Sequence, residues 1–321
     1  MRHLLRSLLL SLLLCLSPPL RAAPEAIADG VYLLRGHFEP GRQPDGNSVL
    51  LRGSEGWVLI DSGRHRAHTQ QLLDFTAGDL KAVVNTHWHL DHLGGNAWLR
   101  ERQPGLLVYA SAEVERALAG WLAQTRRQMQ ALVDDGKTPE AARAQMRIDL
   151  DLLAQGAALL PDRRIEAPLS ALAPAGRALR LGLESGVSGG DVWVLDEASG
   201  TLIAGDLLTL PVPFLDTACA EAWSAALRRL EVQPFERLVP GHGPVLDRAG
   251  LRRYRRAFDG LLACAAGDRP VADCAAAWLS DLDGLIAEAD KPRTLGLLSY
   301  YFKAHLRAAP EQRLRFCAAP P

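Results

Sequence analysis

The sequence predicts an α/β protein whose sheet layers are covered on the outside by helices. Three observations carry this. Strand and helix signals alternate through residues 30–246, they do so in two halves that each run from strands to helices, and no Pro/Gly-rich linker separates the halves. Of 321 residues, 48% are hydrophobic and 23% charged, which supplies a packed core and excludes global disorder. The 36 Lys and Arg residues offset 37 Asp and Glu to a formal charge of -1, excluding the basic excess of a nucleic-acid binder.

Residues 31–35 read as a short strand, and 48–52 and 57–60 as a hairpin around Gly53-Ser54-Glu55-Gly56. Residues 67–75 are helical, 82–85 form a buried strand, a short helix lies near Asn96, and 107–109 form a further strand. A helical insertion over 112–160 is expected as two helices broken at Asp135-Gly136, the second with Thr138 as N-cap and Pro139 as its first residue. Strands return at 178–183, 191–195 and 201–204, the last two joined by a turn over 197–200. Residues 219–230 are a helix and 237–239 a strand. The boundaries are therefore one domain over 24–246 and a helical extension over 247–321.

Residues 1–23 place Arg2 and Arg6 before a Leu-rich run and small residues before Pro24, the order of a secretory signal peptide cleaved near Ala22 or Ala23. Residues 8–16 supply about half of the ~20 apolar positions a membrane anchor needs, so no stable membrane insertion is expected after cleavage. Leu14 stands where lipid attachment at Cys15 would want a small residue. The expected location is periplasmic or secreted. In an oxidising compartment Cys219, Cys264, Cys274 and Cys317 form two disulfides by any of three connectivities, and their spacing lacks the close pairs of a zinc knuckle.

The densest chemical signal is Thr86-His87-Trp88-His89-Leu90-Asp91-His92-Leu93-Gly94-Gly95-Asn96, directly after the apolar strand. Four metal-ligand types within six positions, on a loop at a strand end, suit a rigid catalytic centre: imidazole favours zinc, and Asp adds an anionic donor that also takes a proton. Gly94 and Gly95 are expected to allow a tight turn into the next helix.

His87-x-His89-x-Asp91-His92 followed by Gly-Gly-Asn resembles the signature of the metallo-β-lactamase superfamily. Ile60-Asp61-Ser62-Gly63, Ala204-Gly205-Asp206 and Pro240-Gly241-His242-Gly243 are similar to the family's other site segments. The resemblance implies a four-layer αββα sandwich with metals at one edge between the sheets. It implies His87 and His89 on a first metal, Asp91, His92 and His242 on a second, Asp206 bridging both, and Asp61 bracing the ligands. One or two Zn²⁺ per chain are expected, with iron the lesser choice.

One position departs from the family pattern. The third histidine of the first metal lies in a Gly-His-Ser/Thr-x-Gly-Asp segment in the family, and here Gly186-Val187-Ser188-Gly189-Gly190-Asp191 puts valine in its place. Three outcomes follow: both sites fill with the first weaker, only the second fills, or an outside residue, with Glu184, His37 and His65 as candidates, completes the first. His65 and His68 otherwise read as surface residues at a helix start, and His305 as structural or exposed.

The activity implied is that of an exported metal-dependent hydrolase, in which zinc-bound hydroxide attacks an ester, lactone, amide or similar small substrate and Asp91 orients the nucleophile and moves its proton. The single exported domain and the segment from Asp206 to His242, Leu210 to Asp216 included, are most similar to periplasmic metallohydrolases associated with quinoprotein-dependent alcohol oxidation. Competing readings are a β-lactamase, an iron-dependent persulfide oxidoreductase, which Val187 opposes, and a non-catalytic ligand-binding member. The partner expected is a small-molecule substrate, with neither nucleic acid nor membrane, and no motif names a protein partner. The insertion at 112–160 is read equally as a shaper of substrate specificity and as a solvent-facing hairpin. Trp193, Trp223, Trp278, Tyr300, Tyr301 and Phe302 read as core aromatics rather than pocket walls.

Overall fold

The computed structural model describes residues 23–38 and 41–317, so nearly all of the leader, Cys15 included, lies outside the described residues. The first sheet has the order β1 to β7: β1 (Glu25–Ala28), β2 (Val31–Leu34), β3 (Ser48–Gly53), β4 (Gly56–Ile60), β5 (Leu80–Val84), β6 (Leu107–Ser111) and β7 (Arg163–Ile165). It begins as an antiparallel meander and becomes parallel from β4 onward, where α1 (Arg66–Thr76), then α2 (Leu90–Leu93) and α3 (Asn96–Arg102), carry the chain back across.

The insertion between β6 and β7 holds three helices, α4 (Glu113–Ala119), α5 (Trp121–Asp134) and α6 (Glu140–Ala154). The extra break is at Gly120, and Pro139 precedes α6 rather than opening it, while Asp135 accepts the backbone N–H groups of Lys137 and Thr138.

The second sheet runs β12-β11-β10-β9-β8, from β8 (Leu169–Leu172), β9 (Leu179–Glu184), β10 (Asp191–Asp196), β11 (Thr201–Thr209) and β12 (Arg237–His242), with α7 (Ala220–Glu231) crossing between the last two. The expected strand at 201–204 continues to Thr209, and its pairing with β12 slips on either side of Gly205. That irregularity falls within the strand beside Asp206. The extension contributes α8 (Arg248–Ala266), α9 (Val271–Asp281), α10 (Lys291–Tyr301) and α11 (Pro310–Arg313).

Alternate residues explain the layering. Val58, Ile60, Val192 and Val194 face one core between the sheets, while Leu59 packs outward with Leu72 of α1 and Leu99 of α3. Trp193 and Leu195 face outward on the other side into a core with Trp223, Tyr254, Phe258 and Trp278 from α7, α8 and α9. The result is the expected αββα sandwich with a helical C-terminal region, every buried Val, Leu or Ile contributing about 1.5–3 kcal/mol by leaving water. Cys219 pairs with Cys317 and Cys264 with Cys274, one of the three open connectivities. Among the described residues no helix is long and apolar enough to cross a membrane.

Candidate metal centre

The edge between the sheets gathers the ends of β4, β5 and β12 and the irregularity of β11. His87, His89 and Asp206 bring ligand atoms within 4.8 Å of one another, and Asp91, His92 and His242 do the same. The two triads adjoin: Asp206 Oδ2 is 3.7 Å from His87 Nε2, and Asp206 Oδ1 is 3.3 Å from His92 Nε2 and 3.6 Å from His242 Nε2. His242 Nε2 is 3.0 Å from Asp91 Oδ2. All six residues are buried.

Hydrogen bonds orient the rings. Asp61 holds a left-handed φ of 62°, a conformation that Asp tolerates better than most residues, and this aims its carboxylate back over the metal edge. Asp61 Oδ1 accepts the Thr86 N–H at 2.8 Å, and Oδ2 accepts the Thr86 hydroxyl and His92 Nδ1, each at 2.8 Å. Because the Thr86 proton goes to Asp61, its oxygen accepts from His87 Nδ1 at 3.0 Å. His87 is thereby left with a bare Nε2 lone pair, and His92 Nε2 faces the carboxylates of Asp91 and Asp206. Both Nε2 atoms, together with Asp206 Oδ1, are buried without a hydrogen bond of acceptable geometry. Orphaned donors of this kind are costly unless a cation satisfies them, so the residues fit a divalent metal.

Electrostatics agree. Burial and the neighbouring His92 and His89 rings push the His87 pKa well below its ordinary value, and burial, only partly opposed by Asp91 and Asp206, lowers His89 to about 4. Burial also disfavours a charged His92, yet Asp206, Asp61 and Asp91 outweigh it and raise that pKa well above normal. Asp91 and Asp206 stay ionised despite burial, Asp91 through His92, His242 and Arg64, and Asp206 through His242 and His92. Three buried carboxylates thus call for positive charge at this edge.

Two glycines permit the approach. A Cβ at Gly241 would lie 1.9 Å from Asp206 Oδ1, and one at Gly95 would lie 2.4 Å from Ser62 O. Gly94 and Gly95 keep right-handed backbone angles, so they provide close packing rather than the tight turn expected of them.

Other readings are corrected by packing. Val187 is fully buried in the outer core with Trp223 and Leu207. Glu184 is engaged by Arg229 at 2.8 Å, and His65 by Asp45 at 2.9 Å, so neither candidate completes the first triad; His37 is exposed. His65 and His68 are buried rather than superficial, His68 Nε2 lying 2.8 Å from Ser48 Oγ, because the loop before β3 folds over the start of α1. His305 pairs with Asp216 at 3.2 Å.

The triads open onto an apolar cleft of about 300 Å³. The insertion lines it through Trp121, Met129 and Leu153, and the C-terminal α10 through Leu297 and Tyr301, which makes Tyr301 a pocket wall contrary to the sequence reading. Trp193, Trp223, Trp278 and Phe302 are core, and Tyr300 is exposed. Arg64, bound by Asp149 of α6, lies 3.8 Å from Asp91 Oδ1 and ties the insertion to the centre. Sequence reasoning missed Arg64 and Asp149 at the site, since neither lies in a ligand-spaced motif, and Phe214, inside the segment already singled out, also lines the cleft.

An αββα sandwich with a histidine and aspartate cluster at the edge between its sheets defines the class. The chain belongs to the metallo-beta-lactamase superfamily, whose family model matches residues 41–242. Over 70 residues it is 39% identical to a hydroxyacylglutathione hydrolase of Crocosphaera subtropica, covering 22% of this chain and 24% of that one. Over 53 residues it is 43% identical to an atrochrysone carboxyl ACP thioesterase of Aspergillus fumigatus, covering 15% and 17%. The chain thus matches about a quarter or less of these curated relatives.

Among solved structures, a beta-lactamase domain protein from Burkholderia ambifaria superposes with a TM-score of 0.55 at 21% identity over 90% of this chain and 89% of that one. A metallo-beta-lactamase from Pontibacter korlensis gives 0.54 at 21% over 74% and 98%. Identities this low establish the shared fold.

Proposed function

We propose that this protein is a metal-dependent hydrolase acting on an acyl ester or thioester with an apolar acyl group. The observation that carries the reading is the pair of buried triads opening on an apolar cleft. His87, His89 and Asp206 would hold one divalent ion, and Asp91, His92, His242 and Asp206 a second, zinc being the ion this donor set suits best. A divalent ion held by these residues would supply Lewis acidity, enough to make a water nucleophilic near neutral pH and to polarise a carbonyl.

The chain's own groups do the rest. Trp121, Met129 and Phe214 exclude water and hold the acyl group. Asp91, held ionised beside Arg64 and His242, accepts a hydrogen bond from the attacking water and passes its proton towards the leaving group. The two relatives by sequence are named for hydrolysis of acyl compounds, which supports this class. The two disulfides support a location outside the cytoplasm, and the leader sequence supports export.

The test is a panel of aryl esters, lactones, thioesters and nitrocefin with the purified protein, before and after chelation. Chelator-sensitive hydrolysis of esters or thioesters, abolished in Asp91→Ala with the fold intact, is expected. Turnover confined to nitrocefin would make it a β-lactamase instead, and full activity in Asp91→Ala would remove that residue's role.

A further inference from the structure

Position 187 is where the sequence departs from the family, and its backbone still reaches the centre. The Thr217 hydroxyl lies 2.9 Å from the Val187 carbonyl and 2.9 Å from His89 Nε2. Thr217 and Val187 are fully buried, and His89 is 8% exposed. A threonine hydroxyl has one proton, and the carbonyl can only accept, so that proton belongs to Val187. Towards His89 the hydroxyl therefore acts as acceptor, and the ring must donate Nε2–H. Nδ1 is left with the lone pair, and among the described residues no hydrogen bond reaches it.

We infer that Thr217 is a positioning residue: with the Val187 carbonyl it fixes the tautomer and plane of His89 and so prepares the first triad, which lacks a third imidazole, to hold its ion. The inference rests on the metallohydrolase reading above. Thr217 is well placed for this, because the strap from Leu210 to Cys219 is anchored at both ends. Leu210 N–H donates to His242 O at 3.1 Å and Cys219 N–H to Gly186 O at 2.9 Å, and Cys219 is fastened to Cys317. The strap holds Thr217 in place as the side chain of residue 187 packs into the outer core. A ligand's outer partner of this kind is typically worth 10–100-fold in metal affinity.

The experiment compares wild type, Thr217→Val and Thr217→Ser by zinc competition against a chromogenic chelator, by cobalt absorption spectra of the substituted enzymes, and by ¹⁵N NMR of the metal-free imidazoles. Thr217→Ser should match wild type. Thr217→Val should lose about 10–100-fold affinity at the weaker site, keep the tighter one, and lose the Nε2–H signal pattern of His89. Unchanged affinity and cobalt spectrum in Thr217→Val would overturn the inference and leave the functional reading standing. Should that variant fail to fold, an Nδ1–H tautomer for His89 in metal-free wild type overturns it equally. A wild type that takes up no metal overturns the functional reading and this inference together.

Discussion

Asp61 Oδ2 stands 2.8 Å from His92 Nδ1 and 2.8 Å from the Thr86 hydroxyl, so one carboxylate oxygen orients a ring in each triad, directly for His92 and through Thr86 for His87. Asp61→Asn keeps the shape but offers one acceptor oxygen to three donors that Asp61 meets with two, so an NH₂ group must face either the Thr86 N–H or the Thr86 hydroxyl and His92 Nδ1. Metal affinity is expected to fall about 10–100-fold at both sites, with turnover falling alongside. Competition with a chelator measures the loss. A loss confined to one site would show that the two rings are oriented independently.

The triads differ in donors. The second has Asp91, His92 and His242 with Asp206 Oδ1 close by, while the first has His87, His89 and Asp206 Oδ2 alone. Graded chelation should therefore empty the sites in two steps, the first triad releasing its ion at lower chelator concentration. Metal content by mass spectrometry at each step gives the stoichiometry. A single cooperative release would mean that the Asp206 bridge governs both sites.

What was legible in the sequence had a local signature. Val58, Ile60, Val83 and Val194 announce strands because both faces of each sheet are covered, and the hexapeptide from His87 to His92 concentrates its donors on one loop. β1, β7 and β8 were missed because Glu25, Arg163, Arg164 and Leu169 lie on exposed strand positions without apolar alternation. The sequence signal of β11 stops at Ala204 because Gly205-Asp206 resembles a turn, whereas the pair forms an irregularity within the strand. Thr217 had no signal at all: its role arises from contacts with residues 30 and 128 positions away.

His68 gives the metal-free protein a pH dependence. Burial lowers its pKa from 6.5 to about 4, against the opposing pull of Asp45. Between those values the unfolded chain binds a proton that the folded one refuses, so stability present above pH 6.5 is lost as pH falls towards 4. One such proton is worth about 1.4 kcal/mol per pH unit, or about 3 kcal/mol across the window. Urea unfolding of metal-free His68→Gln, whose amide can still meet Ser48, should show a shallower decline between pH 6.5 and 4 than wild type. Parallel curves would show that the His68 titration does not contribute.

The two disulfides are expected to contribute unequally. Cys219–Cys317 joins residues 98 apart and Cys264–Cys274 residues 10 apart, and loop-closure entropy then assigns about 5 and about 3 kcal/mol respectively. The longer loop also encloses α10, which supplies Leu297 and Tyr301 to the cleft, and ends beside the strap that carries Thr217. Replacing Cys219 and Cys317 together with alanine should lower the urea midpoint more than replacing Cys264 and Cys274, and should also raise KM, since the cleft wall loosens. Replacing the shorter pair should cost stability with little change in KM, because α8 and α9 remain packed through Tyr254, Phe258 and Trp278. Equal midpoints and equal KM for the two double variants would mean that the outer core, and not the Cys219–Cys317 bond, holds the extension against the sandwich.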